Sequence, residues 1–426
     1  MRSGAKVYPK KLRRIREKTR EEVPLMTETG LTTHLQATAL ATLLESAHTP
    51  TELTTYNGVL TPRELDAAEP ETEALVSGAA LHDLGWLRRV AVHGADRFRW
   101  LSGMVTNSVN DLFPNSGAWN LVLNAQGRIQ GDLTVWRGDE EQSPQRRHPD
   151  AEPKTDPLSG TPFAGESELE LEMTAGQYDK LMAHLNHFII MDDVELVPLG
   201  VEQWGEAGSE TAVGVTGPQA HEVLERLGLP VFAHPLMSAR VEWNGLDLTI
   251  RRGYGVLAPH YEFWVPSAGL HKLWPCLRTA GATRVGCAAL EAFRIAEGIP
   301  VYGIDIAERD LPQETSQMRA LHFNKGCYLG QEIVERIRSR GNVHRHLRPL
   351  ELTGPVPVAG AELNTEDGKP AGQITSAAEL KLASGAQVFA LAMIRTEAEL
   401  SDKPFSYGSG SEAGTARIRA TPPTLR

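Results

Sequence analysis

The chain has 426 residues, 41% of them apolar, and carries 43 Lys and Arg against 54 Asp and Glu, a formal charge of −11. That length supports two or three separate cores, and the acidic balance argues against DNA binding and against direct RNA contact through phosphates. No apolar run reaches the roughly 18 residues of a membrane helix, and residues 1–26 are too polar for a secretory signal, so a cytoplasmic protein with no membrane contact is expected.

Residues 1–28 contain PKKLRRIREKTREE, dense in charge without apolar periodicity, and are expected to form a basic disordered tail. A nucleic-acid arm, a targeting peptide, or an extension ahead of a start at Met26 are the other readings of this segment. A first α+β domain is expected over 29–140. It opens with a helix over His34–Ala47 and a polar connector to Glu73. A strand at Leu87–Val92 follows, then a turn at His93-Gly94 and a helix from Ala95 to Val105 that puts Phe98, Leu101 and Val105 on one face. Leu121–Asn124 and Ile129–Trp136 flank Ala125-Gln126-Gly127-Arg128, which predicts a hairpin with Asp132 on its second strand. Residues 141–166, rich in Pro, Ser, Asp, Glu and Arg, are expected to be a disordered insertion.

A second α+β domain is expected over 167–343. Alternating Leu169 and Leu171, a helix near Gln177–His187 and a strand at Val194–Val197 begin it. Ala212–Val215, Thr216-Gly217-Pro218 and a helix through Val223, Leu224 and Leu227 then echo the earlier strand–turn–helix, which suggests a duplicated unit. Strands at Leu246–Ile250 and Tyr261–Val265 and helices at Leu270–Thr279 and Ala288–Glu297 complete it. Over 344–426, short apolar runs such as Gln387–Met393 between Gly, Pro and Asp turns predict a small all-β domain.

Cys276, Cys287 and Cys327 are odd in number and widely spaced, which fits reduced thiols and neither a disulfide framework nor a metal site. Cys327 stands in Asn324-Lys325-Gly326-Cys327-Tyr328-Leu329-Gly330-Gln331-Glu332, a glycine-bracketed loop leading into a helix. The Lys325 cation and a helix amino terminus both favour a thiolate there, a competent nucleophile. Glu332 would place a carboxylate near it, with His344 and His346 as proton carriers if the fold returns them to the loop. The competing reading is a buried cysteine packed as a small apolar residue.

This stretch resembles the K-G-C-[FY]-x-G-Q-E hallmark of the YgfZ family, relatives of the aminomethyltransferase (T-protein) of glycine cleavage. The resemblance continues through Arg294-Ile295-Ala296-Glu297-Gly298-Ile299-Pro300-Val301-Tyr302-Gly303, where only the Ala296-Glu297 order departs, and through Leu311-Pro312-Gln313-Glu314. Gly94-Ala95-Asp96, Leu101 to Asn107, and Gly372-Gln373-Ile374-Thr375-Ser376 extend it from about residue 80 to the end. It implies two interlocked ferredoxin-like α+β domains followed by a small C-terminal β-barrel, ring-like around a folate cleft. It also implies binding of tetrahydrofolate or a one-carbon folate derivative, and iron–sulfur enzymes or their assembly proteins as partners, including enzymes that modify tRNA. The cysteine alone cannot hold a cluster, which takes about four ligands, and no metal ligands are assigned.

Cys327, Lys325 and Glu332 are thus the candidates for the chemistry, and Trp86, Asn107, Asp132, Tyr254, Glu262 and Arg294 the candidates for holding folate. Glu262 would accept hydrogen bonds from the N–H groups of a pterin, Trp86 would stack on it, and Arg294 would pair with a folate carboxylate. An ordinary strand carboxylate, a core tryptophan and a helix ion pair are the respective structural readings. The alternative function is a folate-dependent aminomethyltransferase. Against it, the T-protein hairpin G-[GK]-I-x-D-D-L is matched by Gly127-Arg128-Ile129-Gln130-Gly131-Asp132-Leu133, with one acid replaced by Gly131. Its A-R-D arginine is also replaced, by Leu290. The basic run Arg336 to His346 is either an anion-binding patch or a solvated face. A scaffold without ligand chemistry is the third class.

Overall fold

The computed structural model describes residues 35–138, 168–200, 209–341, 343–401 and 403–425. The expected basic tail and the expected insertion lie outside the described residues.

Thr38 caps α1 (Ala39–Ser46), its hydroxyl accepting from the Ala41 N–H at 3.2 Å, so the helix begins later than His34. The region expected as a polar connector contains the hairpin β1 (Leu53–Tyr56) and β2 (Val59–Pro62) and the helix α2 (Ala68–Val76). Asn57-Gly58 makes the hairpin turn with both φ angles positive, at 48° and 92°, the geometry that Asn-Gly pairs supply. β3 (Ala80–Asp83) follows.

The first half of the main sheet is β4 (Leu87–His93), α3 (Arg97–Met104), β5 (Ser116–Leu123), β6 (Ile129–Arg137), β7 (Leu169–Thr174), α4 (Ala175–His187) and β8 (Glu195–Pro198). The second half repeats the pattern with β9 (Glu210–Thr216), α5 (Ala220–Arg226), β10 (Met237–Trp243), β11 (Leu246–Arg252), β12 (His260–Pro266), α6 (Leu270–Thr279) and β13 (Thr283–Val285). Among the described residues the strands form one sheet in the order β13-β3-β9-β12-β11-β10-β5-β6-β7-β4-β8. Each half is a βαββαβ unit with an extra strand hairpinned onto its edge, the ferredoxin-like arrangement. The two meet where Met237 of β10 pairs with Ser116 of β5.

The halves interlock because β3 lies between β9 and β13 of the second half, while Leu84–Trp86 carry the chain directly into β4 of the first. Leu40, Leu44 and Leu81 accordingly share a core with Val213, Val215 and Phe263, so α1 and β3 pack with the second half although they precede the first. α3 and α4 cover the opposite core, around Val90, Val135 and Leu171.

After α7 (Cys287–Glu297) and α8 (Gln331–Arg340), a closed barrel forms from β14 (Arg345–Thr353), β15 (Glu362–Asn364), β16 (Pro370–Leu382), β17 (Gly385–Arg395), β18 (Phe405–Tyr407) and β19 (Gly414–Ile418). A short helix, α9 (Thr396–Glu399), follows β17. Tyr328, Leu321 and Ile306 join Leu121 and Ile129 of the β5–β6 hairpin to Leu391 and Met393 of the barrel in one buried cluster. No helix among the described residues is long and apolar enough to cross a membrane.

Candidate functional site

The β5–β6 hairpin pairs Leu121 with Asp132 and Trp119 with Thr134. Strand alternation then puts Asp132, Thr134 and Trp136 on one face, while Leu133 and Val135 go to the core behind them. Asp132 is held at three points. Its Oδ2 accepts from the Trp119 indole N–H at 2.8 Å, its Oδ1 from the Gln177 amide at 3.2 Å, and its backbone N–H donates to Gln177 Oε1 at 3.0 Å. Burial raises the Asp132 pKa above the usual carboxylate range, opposed by the Trp119 and Gln177 donors and the Arg319 charge.

Gly131 acquires a physical reason here. A Cβ at that position would lie 2.7 Å from Gln177 Oε1 and 2.8 Å from a Leu181 methyl. The missing side chain is the space through which Gln177 reaches Asp132.

Facing this strand is the end of β11 and the start of β12. Glu262 is 7% exposed, its Oε1 stands 3.5 Å from the His260 ring nitrogen, and its Oε2 has no hydrogen-bond partner. Gly253 makes room for it, since a Cβ there would approach Glu262 Oε1 to 3.0 Å and the His260 ring to 2.4 Å. Behind it, Glu172 of β7 accepts from the indoles of Trp136 at 3.2 Å and Trp264 at 3.1 Å and from Arg251 at 2.5 Å. Burial and the neighbouring Glu262 charge push its pKa upward.

Tyr254 is 39% exposed at the mouth. The guanidinium of Arg319 lies 3.6 Å from the Tyr254 ring centre and 4.5 Å from that of Trp119, two cation–π contacts. Burial lowers its pKa to about 10. Asn107 ties the wall together from behind, donating to the carbonyls of Arg319 at 2.9 Å and Trp119 at 3.2 Å. The result is a pocket of 170 Å³ with three carboxylates, three aromatic side chains and Arg319 on its walls, closed on one side by Ile299 and Pro300.

Asp132, Tyr254 and Glu262 are thus brought together, with Asn107 as a fastening rather than a lining residue. Trp86 and Arg294 are placed elsewhere. Trp86 is 6% exposed in a core with Val59, Leu84 and Trp264, and Tyr56 packs edge-on to it at 4.9 Å. The Arg294 fork is committed inside the protein, to Glu291 at 2.8 Å, Asp305 at 2.5 Å and the Ile299 carbonyl at 3.1 Å. Arg294 therefore fixes the Ile299-Pro300 wall instead of presenting a cation to a ligand. Glu297 has a similar task, accepting from the N–H groups of Val256 at 2.8 Å and Leu257 at 2.9 Å next to Tyr254, and burial pushes its pKa up to about 7.

Cys327 is exposed and does not line the pocket. Its loop is anchored on both sides. The Lys325 ammonium donates to the carbonyls of Ser102, Val105 and Asn107 at 2.7, 2.6 and 2.8 Å, holding the end of α3, and the Leu329 N–H donates to the Gly103 carbonyl at 2.9 Å. All three Lys325 donors are therefore spent on carbonyls, and burial lowers its pKa to about 8. Gly330 has φ +81°, and a Cβ there would meet the Asn124 carbonyl at 2.6 Å, so the loop abuts the β5–β6 turn only because position 330 is glycine. Glu332 is exposed in the first turn of α8. The basic run after it is partly consumed internally, since Arg345 pairs with Asp310 at 2.6 Å and Glu314 at 3.3 Å, and His346 with Glu399 at 3.1 Å.

Two known families cover the two ends of the chain. Residues 46–143 match the GCVT N-terminal domain, and residues 344–425 match the C-terminal beta-barrel domain of CAF17. The chain belongs to the YgfZ/CAF17 family, which is related to aminomethyltransferase. This family member is 23% identical over 345 residues to an aminomethyltransferase of Rippkaea orientalis, across 76% of its own length and 81% of the relative's. It is also 23% identical over 341 residues to a putative chloroplastic transferase of Arabidopsis thaliana, across 78% and 69%. The crystal structure of the glycine cleavage system aminomethyltransferase T from Bartonella henselae superposes with a TM-score of 0.75 at 19% identity, over 92% of this chain and 99% of that one. At that identity the likeness establishes the shared fold.

Trp119, Gln177 and Arg319 also build the pocket, and the sequence alone does not single them out. Trp119 is recoverable from the hairpin register, one diagonal step from Asp132. Gln177 begins an expected helix but gives no local sign of reaching a strand residue. Arg319 lies in a stretch without periodicity, and only the tertiary fold brings it between the two rings.

Proposed function

We propose that this chain binds tetrahydrofolate or a one-carbon derivative in the 170 Å³ pocket and supports the assembly, repair or maintenance of iron–sulfur enzymes, including tRNA-modifying ones, in the cytoplasm. The observation that carries the folate reading is Glu262, a buried carboxylate with an unpartnered Oε2 opposite Asp132 and beside the rings of Tyr254 and Trp119. Such a set fits a flat heterocycle that offers adjacent N–H donors and a stacking face. When bound, tetrahydrofolate supplies a ring nitrogen that carries one-carbon units.

Each residue then has a defined task. Glu262 accepts ring N–H donors, and Asp132, fixed by Trp119 and Gln177, places a carboxylate at a set position. Arg319 fills the space between the two rings, so a stacking ligand displaces it. Cys327 is the reactive group of the second task, an exposed thiol on a loop clamped by Lys325 and Gly330, with the carboxylate of Glu332 in the adjoining helix turn. Lys325 acts by holding that loop. The partners in this reading are iron–sulfur enzymes or their assembly proteins.

A second reading, folate-dependent aminomethyl transfer, draws support from Asp132 in the pocket wall. Replacement of the neighbouring acid by Gly131 and of the A-R-D arginine by Leu290 weighs against it. tRNA methylthiolation in cells lacking the gene separates the two. Restoration by the intact chain and failure by Cys327→Ala at equal expression is the expected result. Unchanged methylthiolation in the deleted cells would remove the iron–sulfur role.

A further inference from the structure

A larger cavity of 680 Å³ lies between the barrel and the carboxyl end of α7, on the far side of the segments that wall the first pocket. Glu297, Gly298 and Gln317 face it, whereas Ile299, Pro300 and Arg319 face the first pocket. Its volume falls within the range of about 300–1,000 Å³ typical of small-molecule sites. Leu347, Pro349, Leu391 and Phe405 give it apolar walls.

Its charges do not balance internally. Arg348, Lys403, Arg417 and Arg419 line it, against Glu297 and Glu399. Arg348 is bound to Glu399 at 2.9 Å, and Lys403 is drawn to Glu366 at 2.6 Å. Glu297 is spent on two backbone N–H groups. Two guanidinium groups are left over. Arg417 is exposed and its side chain makes no hydrogen bond among the described residues; Glu351, its cross-strand neighbour, also exerts its charge on Arg419 but does not line the cavity. Arg419 donates through Nη2 to the Ala296 carbonyl at 2.5 Å and stacks 5.0 Å from the Phe389 ring, while its Nε and Nη1 are buried without a partner. A guanidinium with unmet buried donors is unfavourable unless an oxyanion meets it, and its fork matches a planar carboxylate. In a chain of charge −11, a cavity whose wall carries four cations against two carboxylates stands out.

We infer that this cavity is a second ligand site, for a small molecule that carries a carboxylate on an apolar body. Two leftover cations beside two wall carboxylates suit a carboxylate better than a phosphate dianion. The acid is either an independent molecule or the carboxylate end of a folate-type ligand. The site does not depend on folate binding in the first pocket.

Isothermal titration of the full chain with hexanoate, p-aminobenzoylglutamate and inorganic phosphate tests the assignment. Saturable binding of at least one carboxylate is expected, weakened about tenfold or more by Arg417→Gln and by Arg419→Gln, since a charged hydrogen bond contributes roughly 1.5–3 kcal/mol. Arg417→Gln removes no internal contact, so it reports on the site even if Arg419→Gln perturbs folding. Glu262→Gln, in the first pocket, should leave this binding unchanged. Hexanoate binding identifies an independent acid, and binding of p-aminobenzoylglutamate alone identifies a folate-type source. Absence of carboxylate binding, equal binding to both arginine variants, or binding of phosphate alone would overturn the inference.

Discussion

Glu297→Gln isolates one buried carboxyl that positions the Tyr254 segment. The wild-type carboxyl has its pKa pushed from 4.5 to about 7 by burial, against the pull of the Val256 and Leu257 N–H groups, His260 and Arg319. That rise corresponds to about 3 kcal/mol of penalty on the ionised folded form. Because the folded pKa lies above the unfolded one, the folded chain keeps a proton that the unfolded chain has lost between pH 4.5 and about 7. Stability from this group is therefore complete below about pH 4.5 and is lost as pH rises through 7. Glutamine keeps the acceptor for both N–H groups and never ionises. In urea unfolding followed by tryptophan fluorescence, the variant should match wild type near pH 4 and exceed it by about 2–3 kcal/mol at pH 8.5. Parallel stability curves across that range would refute the reasoning, as would a variant weaker at every pH.

The signature loop yields two further expectations. Lys325→Met removes the donor that three carbonyls share and leaves them buried, so urea unfolding should show a loss of about 3–5 kcal/mol, with faster hydrogen exchange at the end of α3. Gly330→Ala combines a positive φ with a clash at the Asn124 carbonyl, and should cost about 2–3 kcal/mol by the same assay while speeding alkylation of Cys327 by iodoacetamide.

Much of the fold was legible because its periodicity is simple. α6, α7 and β6 carry one apolar face each and appear within one residue of where the pattern puts them, whereas β5 begins at Ser116 rather than Leu121. The β1–β2 hairpin was not legible, despite Asn57-Gly58, because its threonine-rich first strand is half exposed and lacks apolar alternation. β3 was hidden for the opposite reason. His82 and Asp83 are buried polar residues, met by Thr216, Thr38 and Thr61 from distant segments, so the strand does not read as apolar. The same contrast runs through the site. Asp132, Tyr254 and Glu262 are singled out by the resemblance to the T-protein, and the fold brings all three to one pocket. The competing structural reading describes Trp86 and Arg294 as placed, because whether a tryptophan stacks on a ligand or on a core, or an arginine meets a ligand or a nearby acid, depends on contacts that sequence spacing does not encode. Arg319 lies in a segment fastened from afar, through the Asn107 amide and the Thr106 hydroxyl on the Ala320 carbonyl.

The most direct test of the central claim is calorimetric titration of tetrahydrofolate, under anaerobic conditions, into the wild-type chain and Glu262→Gln. Saturable binding by wild type and a loss of about tenfold to a hundredfold in the variant are predicted, from the roughly 1.5–3 kcal/mol of a charged hydrogen bond. No binding by the folded wild-type chain, or equal affinity in the two proteins, would contradict the account.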